Sequence, residues 1–131
     1  MQVSLDCAKK TATAFLALFA FSSTAHAITC SMLQYNMDEA RTQLRRAANE
    51  TDFEDAKNYA RRARNALDDA AMSAMDCKCP MAHSEFDTAA SRARRARDAD
   101  SADEFVDSLN RAIRAFNSAL DALRACGSQR R

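Results

Sequence analysis

Six side chains with soft or borderline donor atoms fall within twelve residues: Met72, Met75, Cys77, Cys79, Met81 and His83. Thioethers, thiolates and an imidazole together suit Cu(I), and a C-x-C pair could present two thiolates to one ion. Copper binding is one chemistry this stretch allows. A competing account uses the same cysteines as structure. Cys30 and Cys77 are 47 positions apart, and so are Cys79 and Cys126. Displacing residues 30–77 by 49 positions brings both cysteines onto cysteines, Met32 onto Met81, Asp38 onto Asp87, and Arg45-Arg46-Ala47 onto Arg94-Arg95-Ala96. In all, 12 of 48 positions are identical. The chain reads as an internal duplication, repeat 1 (30–77) and repeat 2 (79–126), with one cross-link per copy. This account uses all four cysteines at once, whereas methionine is ordinary core filler. Disulfides with no cofactor are therefore the expectation, and copper is the alternative.

Spacing alone leaves the pairing open. Cys30–Cys77 with Cys79–Cys126 lets each copy fold as a unit, while Cys30–Cys79 with Cys77–Cys126 would gather all four sulfurs at one end. A redox role for Cys77 and Cys79 would need an exposed thiolate of lowered pKa, which Lys78 favours and Asp76 opposes.

Catalysis otherwise lacks parts. His83 is the one histidine outside the N-terminal segment, and Cys79 lies one helical turn before it. A surface histidine in a first helical turn is the plainer reading than a Cys–His nucleophile pair. No glycine-rich loop is present to cradle phosphate, since the chain has a single glycine. The expectation is not an enzyme. Two arginine groups, Arg61, Arg62 and Arg64, then Arg92, Arg94, Arg95 and Arg97, form a candidate anion or partner surface. Acidic residues such as Asp68 and Asp98 flank them, the usual layout of a solvated helix face.

These residues must be positioned by helices. The one proline, Pro80, and the one glycine, Gly127, leave an interior almost free of breakers. Apolar residues recur at Leu33, Met37, Ala40, Leu44 and Ala47, then at Phe53, Ala56, Ala60, Ala63, Leu67, Ala70 and Ala74. The second repeat does the same at Ala82, Phe86, Ala89, Ala93 and Ala96, then at Phe105, Leu109, Ala112, Phe116, Ala119 and Leu123. Alternating spacings of three and four mark amphipathic helices with an a/d-type seam. Ser31 with Gln34, Thr51 with Glu54, and Ser101 with Glu104 fit the capping box. Pro80 suits a first helical position, and Gly127 could close the last helix. Helices are expected near 31–48, 52–77, 80–98 and 101–126. The fold class is all-α: two tandem antiparallel hairpins, each closed by a disulfide, forming an up-down-up-down four-helix bundle. Two hairpins splayed about the junction, completed by a homodimer, are the extended alternative.

The N-terminal segment indicates a compartment. Lys9 and Lys10, the apolar run Thr11 to Phe21, and Ala25-His26-Ala27 succeed one another as the parts of a secretory signal peptide over residues 1–27. A retained anchor is the alternative. Cleavage leaves a single helical domain, 28–131, with an even cysteine count, the usual sign of a disulfide framework in a short exported chain. It also removes Lys9, Lys10 and Asp6, leaving 17 basic against 17 acidic residues. That balance gives no support to nucleic-acid binding. A periplasmic or secreted, non-enzymatic binding module for an unknown protein partner is the leading expectation. A holdase-type chaperone is a further alternative.

Overall fold

A computed structural model describes residues 30–129. The expected signal peptide, residues 1–27, lies outside them. Four helices account for nearly all of the described chain: α1 over residues 30–49, α2 Phe53–Asp76, α3 Pro80–Arg97 and α4 Ala102–Gln129. Among the described residues there is no strand, and no helix is long and apolar enough to cross a membrane.

The a/d stripes become the core. Ala40, Ala60, Ala63, Ala70, Ala74, Ala82, Ala89, Ala93, Ala112 and Ala119 are all fully buried. Alanine at these positions lets helix axes approach toward the near end of the usual ~8–10 Å range. Leu44, Leu67, Phe86, Phe105 and Phe116 fill the spaces between and are buried. Phe86 packs against Phe116 with ring centroids 6.2 Å apart, and Phe53 meets Phe105 edge to face at 6.0 Å. Burial repeats with the 49-residue displacement: Ala40 and Ala89, Ala63 and Ala112, and Ala70 and Ala119 are each fully enclosed.

Helix α3 packs extensively along both α2 and α4, while α2 and α4 barely meet. Helix α1 touches α2, where the Asn36 amide donates to the Ser73 hydroxyl at 3.1 Å. It also touches α4, where the Arg41 guanidinium lies 5.7 Å from the Phe116 ring centroid.

Several end signals fall elsewhere than expected. Asp52, not Thr51, caps α2, its carboxylate accepting from the Asp55 N–H at 2.9 Å. Ser101 accepts from the Glu104 N–H at 3.2 Å as expected, but Glu104 reaches back to the Asp100 N–H rather than to Ser101. At the start of α1, residue 30 is already helical and the Gln34 amide donates to Asp38. Gly127 does not close α4, which runs to Gln129. Pro80 does open α3.

Candidate functional site

The junction between α2 and α3 carries the sulfur chemistry. Cys30 is bridged to Cys77 and Cys79 to Cys126, with Cα atoms 5.6 and 5.9 Å apart. Both bonds join the free ends of a hairpin, and Cys77 and Cys79 are buried. The turn between them is a Schellman motif. The Lys78 N–H donates to the Met75 carbonyl and the Cys79 N–H to the Ala74 carbonyl, each at 2.9 Å. Lys78 takes the left-handed conformation there, with φ 62°, a position glycine usually fills. With both sulfurs bridged, neither Cys77 nor Cys79 offers a thiolate.

The remaining soft donors are spread out. His83 is half-buried and its Nδ1 lies 2.8 Å from the Ala71 carbonyl oxygen. A carbonyl oxygen can only accept, so Nδ1 is the donor of that contact. Met75 lies one turn along α2 from Ala71, on the same flank. Met81 precedes His83 by two residues, ~200° around α3, and so projects from a different side. The structure brings His83 to the flank of α2 that carries Met75 and does not gather the full set. Among the described residues, no three His, Cys, Asp or Glu side chains group as a metal site would require.

What the methionines do share is exposure. Met32, Met72, Met75 and Met81 are exposed, together with Tyr35. Each lies within five residues of a bridged cysteine, hence within ~8 Å of it along a helix axis. One end of the molecule thus carries five of the six exposed large apolar side chains among the described residues.

The arginines do not form one basic face. Arg64 pairs with Asp68 at 3.3 Å, Arg97 with Asp98 at 2.7 Å, and Arg62 lies 5.7 Å from the Tyr59 ring centroid. Arg92 and Arg94, two residues apart, diverge by ~200° around α3. The bond from Arg97 holds the Asp98 carboxyl below the usual range, and Asp98 in turn raises the Arg97 guanidinium.

A feature the sequence reading passed over lies between α1 and α4. Two cavities of about 190 and 360 Å³ follow this seam and share Ala48. The signal was present as Val106, Ile113 and Leu120, a second stripe of seven-residue period beside the core stripe of α4. Comparison of the chain with protein-family models, with curated proteins and with solved structures finds no match.

Proposed function

We propose that this chain is an exported binding module, periplasmic or secreted, with no catalytic step of its own. In this reading the four helices form an up-down-up-down bundle descended from a duplicated hairpin. The helix neighbours support the bundle: α3 sits between α2 and α4, and α1 touches both of those. Recurrence of burial at a 49-residue displacement supports the duplication. Disulfides persist in oxidising compartments, which agrees with export after cleavage near Ala27.

The observation that carries the binding role is the apolar end surface. Exposed methionine is unusual as packing, because burial of such side chains is favourable, and methionine-rich surfaces adapt to partners of varied shape. Met32, Tyr35, Met72, Met75 and Met81 crowd the end that the disulfides hold together. A protein partner docking there would cover them. The test is a photo-crosslinking residue placed at Tyr35 or Met72 in the native compartment, with exposed Asn58 on the far half of α2 as control. Discrete adducts from the first two and none from Asn58 are expected; equal labelling, or none, sinks the reading. Non-reducing peptide mapping of the same material should find the two bridges and an N-terminus at Ile28.

The same adaptable methionines favour one second reading, a holdase that shields unfolded clients. It expects suppression of a model client's aggregation at near-stoichiometric ratio, and no suppression excludes it.

A further inference from the structure

We propose that the seam between α1 and α4 is a groove for a monomeric single-chain fatty carboxylate. This is independent of the disulfide-end surface and stands or falls without it. The floor is apolar: Leu44, Leu109 and Phe116 are buried beneath the two cavities, and Ala48, shared by both, is exposed above them. Val106 lines the wall on α4 and is 52% exposed, the one large apolar side chain so exposed away from the disulfides among the described residues. A cleft with apolar surface left open to water gains by taking an apolar chain.

Charge assigns the direction of that chain. Arg41 and Arg45, one turn apart on α1, flank the larger cavity. Arg41 gives Nη1 to Asp38 at 3.1 Å and keeps further donors; Arg45 has no ion pair among the described residues. The far cavity ends at Glu50 and Thr51, where a second negative charge is repelled. A carboxylate therefore sits at the arginines, with the tail running toward Phe53 and Val106. From Arg41 to Thr51 is ten residues of chain, mostly helix, and so about 15 Å of groove. The recess holds about 360 Å³ at the arginines and about 190 Å³ at the far end, room for a thin extended chain but not for the body of an α-helix ~10–12 Å across with its side chains. An alkyl chain is thin enough.

The experiment is calorimetric titration of the disulfide-bonded protein with dodecanoate below its micellar concentration. Saturable one-to-one binding is expected. Ala48→Leu fills the groove from an exposed position and should weaken binding at least tenfold while the thermal melt stays unchanged. If that variant misfolds, Val106→Asp places a charge against the tail and should do the same. Joint replacement of Arg41 and Arg45 by Gln should cost about tenfold, the scale of one or two charge-assisted hydrogen bonds, and dodecyltrimethylammonium should not bind. Absence of saturable binding, full affinity in both groove variants, or equal uptake of the cationic probe would overturn the proposal. So would binding confined to phosphatidylglycerol vesicles or to an acidic amphipathic peptide.

Discussion

Ser73 is a small polar residue inside an alanine stripe, and its hydroxyl is buried where it receives the Asn36 amide. Ser73→Ala removes the acceptor and strands a buried N–H, which costs about 1–3 kcal/mol. Replacing both partners, Asn36→Leu with Ser73→Ala, should recover most of that loss. Chemical denaturation of the two variants checks the pair; equal losses would show that the bond contributes nothing. The Asp98 carboxyl makes a different point. Its pKa is held down by the bidentate bond from Arg97, so its contribution to stability is present above the ordinary carboxylate range. That contribution is lost as pH falls through the depressed folded value. Carboxyl carbon shifts followed by NMR should give an Asp98 midpoint below that of Arg97→Gln, where it should return toward ~3.9. The pairing of Asp98 with a flanking arginine was legible beforehand; the Asn36–Ser73 bond was not. Asn36 and Ser73 are 37 positions apart, and no periodic rule pairs two polar residues across a seam.

At the level of elements, the helices themselves were readable because spacings of three and four run almost unbroken through both repeats. Their ends were less so. Thr51 and Asp52 are adjacent and both are good caps, so only the backbone decides, and it places the carboxylate of Asp52 on the Asp55 N–H. Asp52→Ala should cost about 1 kcal/mol, whereas Thr51→Ala should change little; the reverse order in thermal melts would return the cap to Thr51. The close of α2 falls near residue 77, as expected, but the turn that makes it carried no glycine signal. A lysine stands where glycine would have announced the turn. Left-handed backbone costs a residue with a Cβ about 1–2 kcal/mol, partly offset by the greater unfolded freedom of glycine. Lys78→Gly is therefore expected to stabilise the oxidised protein by about 0.5–1 kcal/mol, and a lower melting temperature would contradict that account. Gly127, which does resemble a helix stop, lies within α4 with no atom beyond its own helix's backbone near the place of a Cβ.

Taken whole, the molecule combines a core rich in alanine with two covalent closures. Alanine buries little area per residue, and the large buried anchors are few, with Phe86 and Leu67 the most enclosed. Each bridge closes a loop of 47 residues and should contribute roughly 4 kcal/mol by restricting the unfolded chain. Against a total of ~5–15 kcal/mol for an ordinary domain, loss of both should leave the reduced protein largely unfolded at physiological temperature. Circular dichroism with and without reductant tests this; a reduced form melting within a few degrees of the oxidised one would assign stability to packing instead. Pairing within each hairpin was favoured because each copy then folds as a unit, and the structure has it. The α1–α4 recess was not foreseen, because a stripe of Val106, Ile113 and Leu120 only becomes a groove when the opposing helix offers Ala48 in place of a larger side chain.

Lys78 has one more consequence. With bridges at Cys77 and Cys79, the covalent graph is two rings joined by a link of one residue. A protease that cuts in the turn around residue 50, or in the one around residue 100, opens one ring but releases nothing, because the sulfur still ties the pieces. A cut on either side of Lys78 parts the molecule into two closed rings with no covalent link between them. Of all the peptide bonds between Cys30 and Cys126, only the two that flank Lys78 hold the halves together, so the survival of the intact protein among proteases rests on how well that one turn is shielded.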